Sequence, residues 1–268
     1  MQLPTLPQRS TAPSVRFASL RTVTALIMRE MATSYGRTPG GYLWAVLEPV
    51  AAIAVLSLVF SLMIRHPPIG INFPLFYATG MVPFALFQGL SGKLAQSINY
   101  SRPLMAYPRV TYIDALLARF IVNMMTEIMV AAIVFGGILL TFDTRVIIHI
   151  PTIAGALLLG SLIALGVGTL NCYLFMRFPL WQRIWAIVTR PLLLASCIFY
   201  VYDFLPRVVR EILWYNPLVH VVGLLRHGFY STYDAYYVSV HYVAGISMAF
   251  LVLGLILLRR HQHFLLQS

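Results

Sequence analysis

"IAGALLLGSLIALGVGTLNCYLF", Ile153 to Phe175, carries no charged residue and sets small side chains at every fourth position: Ala156, Gly160, Ala164, Gly168 and Cys172. An α-helix needs roughly 20 mostly apolar residues to cross the hydrocarbon core of a bilayer. The stretch is therefore predicted to span a membrane, and its small-residue ridge to admit a second helix closely, within the subunit or between subunits. Working outward with the same yardstick gives six spans: Leu43 to Ile64, Phe73 to Leu90, Ile113 to Phe142, Ile153 to Phe175, Ile184 to Val201 and Val238 to Leu258. The second is short and interrupted by Pro74, Gly80 and Pro83, and the third is too long for one perpendicular crossing. Of the 268 residues, 59% are hydrophobic and 10% charged, too little charge for a soluble domain of this length. The predicted fold class is an all-α membrane protein with six transmembrane helices.

The charge is sparse and lopsided, with 19 Lys+Arg against 8 Asp+Glu, and every basic residue except Lys93 is arginine. Nucleic acid is a poor partner for this excess, because the arginines are scattered between apolar runs and form no basic domain. Anionic lipid headgroups and an acidic substrate fit better. Most of the basic residues fall before the first span (Arg9, Arg16, Arg21, Arg29, Arg37), in the second connection (Lys93, Arg102, Arg109), in the fourth (Arg177, Arg183) and in the tail (Arg259, Arg260). The positive-inside rule then places both termini in the cytoplasm. Residues 1–42 offer no apolar run followed by a small-residue cleavage site, so insertion is expected to depend on the later spans. Cys172 and Cys197 lie in apolar runs and read as packing residues.

Several polar residues fall inside the predicted spans. Arg119, Asn123 and Glu127 recur at intervals of four, on one face of the third span. A polar group at such depth costs about 2.5 to 3.5 kcal/mol, so the stripe should face protein, as interhelical glue, or water, as the wall of an aqueous path. Arg190, followed by Pro191, sits in the inner half of the fifth span, where it either anchors at the headgroups or lines a cavity. At the first span, Gly40-Gly41 is expected to break the preceding helix and Trp44 to anchor the turn into the membrane. Glu48 then lies about one turn inside and needs a partner, for which Arg37, Arg29 and Lys93 are candidates. Pro49 near the helix start is tolerated, since early amides lack intrahelical acceptors.

Between the fifth and sixth spans, Leu205 to Trp214 and Leu218 to Phe229 each read as a short amphipathic helix, with Asn216-Pro217 capping the second. Neither is long enough to cross. A re-entrant hairpin of two half-helices dipping into the outer leaflet is expected. His220 and His227 share one face but lack a third ligand, which favours polar contacts over a metal. The aromatic residues at the ends of the spans read mainly as an interfacial belt. "GLSGKL", Gly89 to Leu94, lacks the spacing and the hydroxyl residue of a phosphate-binding loop, so the chain is not expected to bind ATP by itself.

Three stretches carry a family resemblance. The first is Arg29-Glu30, Tyr35-Gly36-Arg37, Gly41-Tyr42-Leu43-Trp44-Ala45 and Glu48-Pro49; the second is "YPRVTYIDALLAR", Tyr107 to Arg119; the third is "WYNPLVHVV", Trp214 to Val222, followed by Arg226. Through them the chain resembles the membrane subunits of ABC-2 type exporters, in particular the KpsM/BexB/CtrC group of capsular polysaccharide permeases. One departure is Gly223, where members of the group often carry an acidic residue.

The resemblance implies a homodimer in the bacterial inner membrane. Each subunit would rest on a cytoplasmic ABC ATPase that binds ATP and Mg, with no cofactor in this chain. It further implies a periplasmic co-polymerase-type adaptor and a lipid-linked acidic polysaccharide as cargo. Residues 1–42 would form a cytoplasmic segment with an interfacial amphipathic helix, residues 43–258 the transmembrane domain and residues 259–268 a cytoplasmic tail. Arg29, Arg37, Trp44, Glu48 and Lys93 would mark the substrate entrance, although anchoring to anionic phospholipid explains the same arginines. Arg119, Asn123, Glu127 and Arg190 would be intramembrane or channel residues. The segment from Ser101 to Asp114, with Arg102, Tyr107, Pro108, Arg109 and Asp114, would couple to the ATPase. Leu205, Pro206, Trp214, Asn216, Pro217, His220 and Arg226 would belong to a periplasmic gate. A permease for O-antigen or teichoic acid would share the architecture. A membrane-embedded glycosyltransferase or acyltransferase would need a convergent acid or His-Asp site, and the 8 acids are dispersed.

Overall fold

In lipid an apolar run pairs its backbone amides within its own segment, and the helix is how a single segment does so. The computed structural model describes residues 18–34, 41–105 and 111–267. They form α1 (Ala18–Ser34), α2 (Gly41–Met63), α3 (Phe73–Ala95), α4 (Ser97–Met105), α5 (Tyr112–Thr141), α6 (Ile150–Arg177), α7 (Pro179–Ala195), α8 (Arg207–Leu213), α9 (Pro217–Phe229) and α10 (Val240–Gln267). Among the described residues, α2, α3, α5, α6 and α10 are long and apolar enough to cross a membrane. With 17 residues, α7 stands at the lower limit of a crossing. The short helices α8 and α9 meet at 103°.

The centre of the bundle is α6, packed most extensively against α10 and α3 and then against α9. Its small-residue ridge faces inward: Ala156, Ala164 and Cys172 are fully buried. A Cβ built on Gly168 would lie 2.7 Å from Leu94 Cβ and 3.0 Å from the Ser91 carbonyl, so only glycine lets α3 approach this closely. Of the two readings of the ridge, the contact within the subunit is the one formed by this chain. Gly160 meets Val221 of α9 and Gly228 meets Ile153, which sets α9 antiparallel to α6. By contrast α2 buries only Ile53 and Ser57 among its described side chains, and α7 only Thr189.

Several boundaries differ from the sequence reading. The second span is continuous from Phe73 to Ala95 and not interrupted. Pro74 falls in the first turn, where its missing N–H leaves no acceptor unpaired, and a Cβ on Gly80 would fall 2.9 Å from Ile198 Cα, so glycine makes room for that backbone. The fifth span begins earlier, at Pro179, and stops at Ala195, where Cys197 adopts a positive φ of 57° and ends the helix. The sixth continues through Gln267, so residues 259–267 extend the helix. The expected pair of short helices exists as α8 and α9. It meets near a right angle, with α9 buried and no residue of α8 buried.

The α6–α10 contact gives a direct test. A Cβ on Gly254 would fall 2.8 Å from Leu170 N and 2.9 Å from Thr169 C, both backbone atoms, whereas one on Gly245 meets nothing within 4 Å. Gly254→Val is therefore expected to cost about 1 to 3 kcal/mol through overpacking. Size-exclusion profiles of heated, detergent-solubilised protein should show a lower midpoint for Gly254→Val and a nearly unchanged one for Gly245→Val.

Candidate functional site

The polar stripe of α5 divides between two neighbours. Arg119 turns toward α1, where its Nε lies 3.4 Å from Glu30 Oε1, with the two side chains only 11% and 8% exposed. Its guanidinium also lies 4.3 Å from the ring centre of Tyr100 on α4, and that of Arg29 lies 5.6 Å from the same ring. One ion pair and one shared aromatic ring thus tie α1, α4 and α5 together. Asn123 is fully buried and donates from Nδ2 to the Arg119 carbonyl at 2.7 Å. At the start of α5, Asp114 and Thr111 form a reciprocal capping box that fixes where the helix begins after the preceding segment. Arg102 lies in the last turn of α4. Arg37, Tyr107, Pro108 and Arg109 lie outside the described residues.

The third member of the stripe, Glu127, opens instead onto a groove. Here α3 is the floor, and α2 and α7 stand on either side. On the α2 side a cavity of about 440 Å³ brings Glu48, Lys93 and Glu127 together, with Glu127 Oε1 4.0 Å from Lys93 Nζ. Lys93, one of the three cations named for Glu48 from the sequence, lines its cavity, and a second carboxylate shares it. Trp44 is exposed at the start of α2. On the α7 side a cavity of about 610 Å³ is lined by Gln88, Gln96, Gln182, Trp185, Thr189 and Arg190 among others, which puts Arg190 at a cavity. Further along, the groove is wholly apolar, lined by Ala51, Val55, Leu56, Met81, Leu193 and Phe199. Sequence reasoning missed the three glutamines. The signal was present in Gln88, Gly92 and Gln96 at intervals of four, a spacing that follows one face of α3 to its C-cap.

At the other end, Arg226 of α9 is fully buried and has no carboxylate partner among the described residues. Its Nη1 and Nη2 donate to the carbonyls of Tyr200 at 2.8 Å and Ile198 at 2.9 Å, and its guanidinium lies 4.5 Å from the ring centre of Phe76. These carbonyls belong to the turn where α7 ends, so Arg226 supplies donors that a continuing helix would have supplied. Asn216 caps α9 by accepting from Leu218 N at 3.1 Å and donates to Ala195 O at 2.9 Å. Pro217 occupies the first turn of α9. His220 Nδ1 accepts from Ser239 N at 3.2 Å, which leaves Nε2–H to donate to the Trp214 carbonyl at 2.8 Å. His227 lies 2.8 Å from the Tyr233 carbonyl. Both histidines thus make polar contacts, and among the described residues no cluster of three metal-ligating side chains occurs. Burial pushes the Tyr233 and Tyr237 hydroxyls well above the ordinary phenol range, so both stay protonated, 3.1 Å apart. Leu205 and Pro206 lead into the exposed α8.

Comparison with known proteins agrees with this architecture. The family described as "ABC-2 type transporter" matches residues 21–230, from α1 through α9. The chain is 30% identical over 247 residues to the polysialic acid transport protein KpsM of Escherichia coli, covering 92% of this chain and 96% of that protein. It is 25% identical over 246 residues to the capsule polysaccharide export inner-membrane protein CtrC of Neisseria meningitidis, covering 90% and 91%. It is also 25% identical over 240 residues to the capsule polysaccharide export inner-membrane protein BexB of Haemophilus influenzae, covering 89% and 90%.

Two substitutions test the buried cations. Arg119→Met or Glu30→Leu alone breaks the mostly buried Arg119–Glu30 ion pair and should destabilise the fold by about 3 to 5 kcal/mol, whereas the double variant should recover most of that loss. Thermal midpoints of the purified variants report this coupling. Arg226→Met removes the donors to Ile198 O and Tyr200 O, and the yield of folded protein in membranes should fall sharply.

Proposed function

The chain belongs to the ABC-2 type transporter family, and from that premise we propose that it is the membrane-spanning subunit of an ATP-driven exporter that carries a lipid-linked acidic capsular polysaccharide across the bacterial inner membrane. The observation that carries this reading is the groove over α3. Its walls α2 and α7 bury few of their own side chains, and polar groups line it within the spans. Polar side chains left open in a membrane need water, cargo or a second polypeptide beside them. A second copy of the chain placed against α2 and α7 closes the groove into a path between two subunits.

In this reading both termini are cytoplasmic, and α1 lies at the inner surface with Arg29 and Trp44 near the entrance. A separate cytoplasmic ATPase binds ATP and Mg and pushes on the segment around Arg102 to Asp114. The contact of Tyr100 with Arg119 and the Glu30 ion pair pass that displacement to α5 and α1. At the far end, α8, α9 and the turn held by Arg226 act as the gate, with Trp214, Asn216 and His220 fixing its shape. A periplasmic adaptor receives the polymer beyond it.

Copurification tests the central claim. The chain, expressed with a P-loop ATPase encoded beside it, should be recovered as a complex holding two copies of each, and the complex should hydrolyse ATP in lipid. A monomeric chain with no companion protein would refute the reading. Glu48→Gln should then reduce surface polymer several-fold at an unchanged membrane protein level, and undiminished export would remove Glu48 from the transport path.

A further inference from the structure

The two polar cavities on either side of α3 differ in sign. On the α2 side two carboxylates, Glu48 and Glu127, face one ammonium, Lys93. An anion entering there meets repulsion, and Lys93 already has Glu127 at 4.0 Å. The α7 side has no acidic residue in its lining. Its charge comes from Arg190 alone, which is exposed and has neither an ion pair nor a hydrogen bond among the described residues. Around it stand the amides of Gln88, Gln96 and Gln182, likewise without side-chain hydrogen bonds among the described residues, and the indole of Trp185.

From this asymmetry, and resting on the export reading above, we propose that the cavity between α3 and α7 is the binding subsite for an acidic sugar unit of the exported chain. The guanidinium of Arg190 offers paired donors that match a carboxylate. An amide donates and accepts at once, as does a sugar hydroxyl, so three glutamines suit a polyhydroxylated ring and carry no charge that would trap it. Trp185 supplies an apolar surface for the ring's C–H face. The antiparallel course of α3 and α7 sets Gln88 and Arg190 at the deep end and Gln96 and Gln182 at the other. Gln88 on α3 and Gln96 at its C-cap are eight residues apart, as are Gln182 and Arg190 on α7, so each wall is about 12 Å long. The subsite therefore lies on the α7 side of the floor and adjoins the cavity of Glu48, Lys93 and Glu127, with which it shares Phe84, Gln88 and Leu193.

Binding separates the possibilities. The complex with its ATPase, in phosphatidylcholine nanodiscs, is titrated with a fluorescent sialic acid oligomer and with the same oligomer after its carboxyls are reduced to alcohols. The intact protein should prefer the carboxylated form about tenfold, the size of one charge-assisted hydrogen-bonded contact. Arg190→Gln should bind both forms alike, Arg190→Lys should keep part of the preference, and Lys93→Gln should keep all of it. A preference that survives Arg190→Gln, or is lost in Lys93→Gln instead, overturns the subsite and leaves the export reading standing. Failure of the intact complex to bind either oligomer counts against the export of an acidic glycan itself, and the subsite falls with it. Displacement of both oligomers alike by added phosphatidylglycerol would assign Arg190 to a lipid headgroup and overturn the proposal.

Discussion

The guanidinium of Arg226 holds two carbonyls that a broken helix would otherwise leave bare. Where α7 stops after Ala195, the backbone turns within an apolar environment, and each unpaired carbonyl there would cost several kcal/mol. Arg226 reaches across from α9 to Ile198 O and Tyr200 O and lies against Phe76 of α3. One side chain thus joins the end of α7, the buried α9 and the wall of α3. Asn216 repeats the device a few residues away, capping its own helix and donating to Ala195 O. Because the turn is satisfied from α9, α7 can end early and leave the flank of α3 open beside it.

That open flank determines the electrostatics of the groove. The buried part of the bundle is almost free of charge. What charge it holds is paired or hydrogen-bonded, as at Arg119 with Glu30 and at Arg226 with its carbonyls. The groove is different, because its polar groups line the open flank of α3 and not the interior, and they are sorted by side. Acids collect beside α2, neutral amides and one arginine beside α7, and an apolar stretch continues from both. Sorting of this kind separates a place where charge holds helices together from a place that can receive charge from outside.

Much of this was legible in the sequence, and the parts that were not share a cause. Hydropathy located the spans, since in lipid an apolar run has little choice but to be helical. Proline and glycine misled at the second span because their effect depends on position. Pro74 sits where no N–H is needed, and Gly80 serves a backbone contact with Ile198 that only the folded chain reveals. The stripe of Arg119, Asn123 and Glu127 was visible as a period of four. Its partners Glu30, Tyr100 and Lys93 come from three other helices, and no local pattern pairs them. The ridge on α6 could be seen but not its direction, because a small side chain records that something comes close and not what it is. The glutamines of α3 were overlooked because a neutral amide stands out less than a charge, although their spacing marked one face.

The uneven burial of the helices has a mechanical corollary. The block of α3, α6, α9 and α10 meets through glycines and buried apolar side chains, with backbone nearly against backbone, and it has no slack to deform. Helices α2 and α7 rest on that block through a few shallow contacts. In the export reading proposed above, a shove delivered at one end would meet a stiff chassis flanked by two panels, and the aperture would widen by tilting those panels while the interior keeps its packing.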